Sequence, residues 1–236
     1  MKKSHIATLI VFFVLIPLTL IVGSRLSGRA FYVTSTLVIV ELLIPFFLAF
    51  EGRRPQAREL VVLAVMCALA VAGRVAIPIP SFKAIFGIIM IAGIAFGPES
   101  GFLVGAISAL ASNFFYSQGP YTPWQMMAYG AGGMLAGFVF AEGRLPRKPV
   151  VMGIFGFLAV TFFVGPLLDT CSVFLVMSRI TLKGAMAFYI SGFPVNLRQA
   201  VATAIVLLVL GKPLLEKLDR IKTKYGILDD EGGKET

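Results

Sequence analysis

Seven side chains carry most of the binding chemistry this chain can offer: Arg74, Gln118, Tyr121, Trp124, Asp169, Asn196 and Arg198. Gln118, Tyr121 and Trp124, the only tryptophan, fall in the segment SQGPYTPWQ between two glycine-lined apolar runs. An aromatic face stacks on a flat ligand, and an amide hydrogen-bonds its edge. Pro120 and Pro123 fix their own φ and bias Gly119 and Thr122 toward extended backbone, so the segment is stiff. It reads as the lid of a binding site. The other four residues interrupt hydrophobic runs. A charge at such depth costs several kcal/mol unless paired or hydrated, which marks an internal ion pair or a polar cavity. Arg74, Asp169 and Arg198 are expected in the same half of the helices as the stiff loop. That convergence favours one outer cavity lined by them, alone or as a charge network, over structural salt bridging. Glu41, inside another apolar run, is isolated and receives no role.

Several chemistries are set aside. The single histidine, His5, lies at the amino terminus, which excludes a histidine-based triad, an HExxH zinc site and a histidine proton relay. No GxxxxGK[ST] or GxGxxG motif occurs, so uphill transport would draw its energy from a partner or an ion gradient. Cys67 and Cys171 each sit in an apolar run without a neighbouring Cys or His, and read as small hydrophobes rather than a disulfide or a metal site. No enzyme activity, cofactor or metal is expected.

The elements that position these residues are membrane helices. The chain is 58% hydrophobic, with mean hydropathy +0.90 and only 14% charged residues. A soluble domain of 236 residues cannot bury that much apolar surface. Hydropathy predicts eight helices, at 6–23, 30–50, 60–77, 84–96, 100–117, 124–141, 150–176 and 186–210. The first apolar run resembles a signal peptide, but Gly23-Ser24-Arg25 is a poor cleavage site and a second run follows, so it reads as a retained anchor. Residues 84–96 are short for an upright span, which suggests a partly re-entrant or irregular segment. Pro166 is expected to kink the long seventh helix. The polar stretch EGRRPQARE, Glu51 to Glu59, divides an N-terminal helix pair (1–59) from a six-helix core (60–211). A charged tail (212–236) follows, and its end, DDEGGKET, is expected to be disordered.

Loop charges orient the bundle. With the amino terminus inside, the cytoplasmic segments hold Lys2, Lys3, Arg53, Arg54, Arg58, Arg144, Arg147, Lys148, Lys212, Lys217, Arg220, Lys222, Lys224 and Lys234. The opposite side holds Arg25, Arg29, Lys83, Arg179 and Lys183. This bias places both termini in the cytoplasm of a multi-pass cell-membrane protein. The net charge of +9 is accounted for by topology, with no nucleic acid partner, and the basic tail can also touch anionic lipid of the bilayer.

Three stripes of small residues complete the pattern. Ala64, Ala68 and Ala72 recur every four residues, as do Gly97, Gly101, Gly105 and Ala109, while Gly130, Gly133 and Gly137 follow the stiff loop. Such stripes let helices approach closely. At least two are expected to pack the chain against itself, leaving one for a partner.

Taken together, the alanine stripe beginning Ala64-Val65-Met66-Cys67-Ala68, the FGPESGFLVG turn and helix, and the SQGPYTPWQMMAYGAGGMLAG segment make residues 60–210 resemble a known family. It is the substrate-binding membrane subunit (S component) of energy-coupling-factor (ECF) vitamin transporters. The last segment resembles S components associated with cobalamin-type and other vitamin substrates. The resemblance implies an all-α core of six helices, to which the two N-terminal helices are an addition. It further implies a vitamin pocket beneath the outer loops Pro78 to Lys83, Ser117 to Trp124 and Ser178 to Gly184. The implied partners are a vitamin-like ligand, a coupling transmembrane subunit docking on Ala64, Ala68 and Ala72, and two ATPase subunits. Toppling of the subunit in the membrane is implied on meeting the coupling subunit.

The alternative is an ion- or proton-coupled secondary transporter built on Asp169 and Arg198, but no inverted repeat pairs the halves of the block. An intramembrane enzyme would lack a histidine or paired carboxylates. A purely structural membrane protein leaves the rigid loop unexplained.

Overall fold

The computed structural model describes residues 56–140, 143–177 and 180–226, together with the positions 14–15, 18–19, 33–34, 36–41, 43–44 and 47. Most of the expected N-terminal helices, residues 51–55 of the linker, Ser178 and Arg179, and the end of the tail lie outside the described residues.

Among the described residues the core is all-helical. Helix α1 spans Ala57–Val75, α2 Ile85–Phe96, α3 Pro98–Tyr116 and α4 Thr122–Phe140. Helix α5 runs Pro149–Val176 and α6 Leu182–Tyr225; these two are long and apolar enough to cross a membrane. Helix α2 is the axis of the bundle. Its sequence IFGIIMIAGIAF is apolar all round, and all twelve residues are buried. The segment is therefore a regular α-helix rather than an irregular one. At about 1.5 Å per residue it is too short to cross the bilayer upright, so burial between neighbours stabilises it.

The FGP motif is a one-residue turn. Gly97 has φ +93°, a region that side chains with a Cβ rarely adopt, and its N–H donates to the Gly93 carbonyl, ending α2. Pro98 then opens α3, where its missing N–H costs nothing. Beyond this turn α3 and α4 meet backbone to backbone. A Cβ on Gly101 would lie 2.5 Å from the Gly133 carbonyl oxygen, and one on Gly137 would lie 2.6 Å from Pro98. The two glycine stripes thus pack the chain against itself. Among the described residues the alanine stripe does not. Ala64, Ala68 and Ala72 are exposed on α1, flanked by the exposed Val61, Val65 and Leu69.

Prolines shape the two long helices in a common way. Val160–Val164 and Leu207–Gly211 are π-helical, and each stretch stops two residues before a proline, Pro166 or Pro213. A proline ring collides with the carbonyl four residues back, and a wider turn relieves that collision. Gly165 accordingly donates to Val160, five residues back. Pro194 does not break α6, which begins at Leu182 rather than 186 and continues through the expected tail to Tyr225. Thr181 caps its start by accepting from the Gly184 N–H at 3.2 Å. Helix α1 likewise starts at Ala57, within the expected linker, and Glu59 is buried, accepting a hydrogen bond from Ser100 at 3.3 Å.

The last turns of α6 cover the end of α2. Lys222 Nζ donates to the Ala95 carbonyl at 2.6 Å, and Arg147 donates to the Ile94 carbonyl at 3.2 Å. Asp219 lies 3.4 Å from Arg147 and 3.8 Å from Lys222. Two cations therefore satisfy the orphan carbonyls and negative end of the axial helix. Lys222→Met should lower stability by about 1 kcal/mol, the scale of one such bond. Thermal unfolding in detergent, compared with the exposed control Lys217→Met, checks it.

Candidate functional site

A cavity of about 260 Å³ opens among all six core helices, toward the end of the core that carries the 76–84 and 117–121 loops. Its aromatic wall is Phe86, Tyr116 and Tyr129, and its polar wall is Asn196, Gln199 and Ser81. Arg74 and Lys83 supply two cations. Phe86 and Tyr129 meet edge to face, with centroids 4.5 Å apart. The π-helical stretch of α5 places Val160 in the wall, and the turn after it contributes Gly165 and Leu168. Gly165 is needed for close approach, since a Cβ there would lie 2.5 Å from the Asn196 side chain.

Arg74 sits in the last turn of α1 and is half-buried. Its Nη1 donates to Ser112 Oγ at 2.5 Å and to Asn113 Oδ1 at 2.9 Å, both buried on α3. Asn113 Nδ2 passes the connection to α4, donating to Gln125 Oε1 at 2.8 Å and Thr122 Oγ1 at 3.2 Å. Thr122 Oγ1 donates in turn to Gln118 Oε1 at 2.9 Å. A continuous polar chain links the cavity cation to the stiff loop. The guanidinium also lies 4.9 Å from the Tyr116 ring centre and 5.5 Å from that of Tyr129, within cation–π range. Tyr116 returns a hydrogen bond to the Arg74 carbonyl at 3.0 Å. Lys83 donates to the Ile77 carbonyl and stands 5.9 Å from the same Tyr116 ring.

The structure separates the expected site residues into groups. Arg74 and Asn196 line the cavity. Asp169 lies directly behind Asn196, accepting from its Nδ2 at 2.7 Å, and packs against Gly192. Asp169 therefore acts on the cavity through Asn196. Arg198 is exposed and donates to the Pro194 carbonyl at 3.3 Å, so the three charged residues do not join in one network. Gln118 and Tyr121 spend their polar atoms on α3 and the loop: Gln118 Nε2 donates to the Leu110 carbonyl at 2.9 Å, and the Tyr121 hydroxyl donates to the Ser117 carbonyl at 2.7 Å. Those bonds, with Thr122 Oγ1 accepting from the Gly119 N–H, tie the loop to the ends of α3 and α4.

Trp124 is not in the loop. It stands in the first turn of α4, buried against Phe174 of α5 at 5.4 Å between centroids, and clusters with Cys171 and Ile39. Together with the Phe47–Phe102 contact at 6.4 Å, this cluster joins the N-terminal segment to the core.

Sequence reasoning named none of Phe86, Tyr116, Tyr129 and Gln199, and took in Ser81 and Lys83 only as part of the implied pocket loop Pro78 to Lys83. Lys83 carried a further readable signal, a lone cation beside the Pro78-Ile79-Pro80 turn. The aromatic residues had none, because a phenylalanine or tyrosine in an apolar run looks the same whether it packs or lines a cavity.

No curated protein and no solved structure matches this chain. A family model described as "ECF-type riboflavin transporter, S component" matches residues 55–216, the segment that builds the six-helix core and its cavity. The match does not support the cobalamin-type specificity expected from the loop segment. A transporter S component is a membrane protein and not an enzyme class, in keeping with two helices apolar enough to cross a bilayer. The chain belongs to the ECF-type riboflavin transporter S component family, and is the substrate-specific subunit of an ECF transporter.

Proposed function

We propose that this subunit captures a flavin-like vitamin from outside the cell and delivers it through an ATP-driven coupling module. The observation that carries the reading is the coincidence of the family match with the walls of one cavity. Residues 55–216 include every lining residue named above. The chemistry suits a flat heterocycle. Phe86, Tyr116 and Tyr129 offer ring faces and edges, while Asn196, Gln199 and Arg74 offer hydrogen bonds to ring carbonyls and nitrogens.

In this reading Arg74 and Asn196 contact the ligand, and Asp169 positions Asn196. Gln118 and Tyr121 hold the loop, Trp124 seats α4, and Arg198 plays no direct part. The cavity end faces outward and both termini face the cytoplasm, in keeping with the bias of basic residues toward the opposite loops. The exposed alanine stripe on α1 receives the coupling subunit, and two ATPase subunits complete the assembly. The chain alone has no P-loop, so it binds but does not pump.

Quenching of flavin fluorescence on titration with the purified full chain tests the reading. Riboflavin should bind saturably, and Tyr116→Ala should weaken it by about 1 kcal/mol, the scale of one aromatic contact. Mass spectrometry of ligand retained through purification provides the independent check. A retained non-flavin molecule together with absent riboflavin binding would sink the proposal.

A further inference from the structure

Among the described residues that line it, the cavity holds two cations and no carboxylate. Arg74 and Lys83 reach it from different elements, the last turn of α1 and the loop before α2, yet both converge on the Tyr116 ring, at 4.9 and 5.9 Å. Both are half-buried. Their partners on the protein side are neutral: Ser112 and Asn113 for Arg74, the Ile77 carbonyl for Lys83. The acid bonded to the lining, Asp169, stands behind Asn196, and Glu59 is occupied at the far end of α1 by Ser100. Two like charges gathered in a half-buried site repel each other and lose hydration, and an oxyanion between them removes both penalties.

We propose that this cavity selects an aromatic ligand bearing an anionic oxygen group, phosphate or carboxylate, held by Arg74 and Lys83 beside the Tyr116 ring. The inference rests on the flavin reading above and goes beyond it, because riboflavin itself is neutral. Arg74 is already oriented by Ser112 and Asn113, so it meets the anion without reorganising. Its hydrogen-bond chain to Gln118 also couples the anion to the loop. Lys83 contributes as a point charge from the loop before α2.

The experiment is a set of fluorescence titrations of the full chain with three probes: riboflavin, riboflavin 5′-phosphate and a 10-carboxymethylflavin. Binding of one or both anionic flavins about tenfold or more tightly than riboflavin is expected, the scale of one hydrogen bond to a charged group. The two anionic arms distinguish phosphate from carboxylate. The preference should shrink as salt is raised, because the cations are only half-buried. In Lys83→Gln the preference for the anionic probes should fall by about tenfold, the contribution of one charge-assisted contact. Should the variant fail to fold, the salt series on the unaltered chain still decides. Equal or weaker binding of both anionic probes, with riboflavin bound, overturns this inference and leaves the flavin reading standing. Failure of all three probes to bind overturns both.

Discussion

Replacing Gly101 with leucine should prevent the core from folding, and Gly101→Ala should cost about 3 kcal/mol or more, beyond the usual range of overpacking. The reason is what the added atom meets. On Gly101 a Cβ would lie 2.5 Å from the Gly133 carbonyl oxygen and 2.7 Å from the Gly93 Cα, all backbone. Flexible side chains can turn aside, whereas a helix backbone can yield only if the whole helix moves. Movement is blocked on both sides, because Gly93, Gly101 and Gly133 bring α2, α3 and α4 together at one level, and Gly105 and Gly137 extend that contact. No hydrophobic effect drives helices together in lipid, so losing this close approach removes much of what holds them. Thermal unfolding of Gly101→Ala and the yield of folded Gly101→Leu in detergent are the measurements. Wild-type stability in both would mean that α3 and α4 are not tightly apposed. Gly97→Ala, strained by φ +93° with open space around it, separates backbone strain from crowding.

The helices were legible because lipid-soluble segments announce themselves by length and composition, and the expected core boundaries mostly fall within a few residues of the observed ones. The FGP turn was legible for a different reason, since glycine followed by proline suits a left-handed stop and a helical start at once. Proline's preference for a first helical turn also suits Pro123, and the helix expected from 124 begins at Thr122, so Trp124 stands in the first turn of α4 rather than in a lid. The continuation of α6 was also written in the chain. Leu214, Leu215, Leu218 and Ile221 repeat at helical spacing through the charged tail, and Leu215 and Leu218 are buried. The partners of the intramembrane charges were not legible. Asp169 pairs with Asn196 and Arg74 with Ser112 and Asn113 because of helix rotations that no local pattern records. Tyr129 and Phe86 likewise face the cavity only once α2 and α4 are packed.

Ala68→Trp should abolish assembly with the coupling subunit, and with it uptake, while the isolated chain keeps its ligand affinity. The two glycine stripes are consumed inside the core, whereas Ala64, Ala68 and Ala72 lie on the exposed face of α1 between Val61, Val65 and Leu69. A face that is apolar, smooth and uncovered by the described residues suits close approach by another helix. An indole added there holds the partner's backbone off by more than a side-chain radius, and dispersion contacts fall away over less than that. The cavity is insulated from the change. Its α1 residue, Arg74, projects from the other side of the helix onto Ser112 and Asn113 of α3, and Met66 and Ala70 fill the buried face between. One Ala68→Trp preparation serves for three measurements: melting temperature, flavin titration, and co-purification with the coupling and ATPase subunits. Loss of the complex with melting and binding intact is the expected result. Loss of binding together with a lowered melting temperature would mean the stripe packs within this chain, and an intact complex would move the docking face elsewhere.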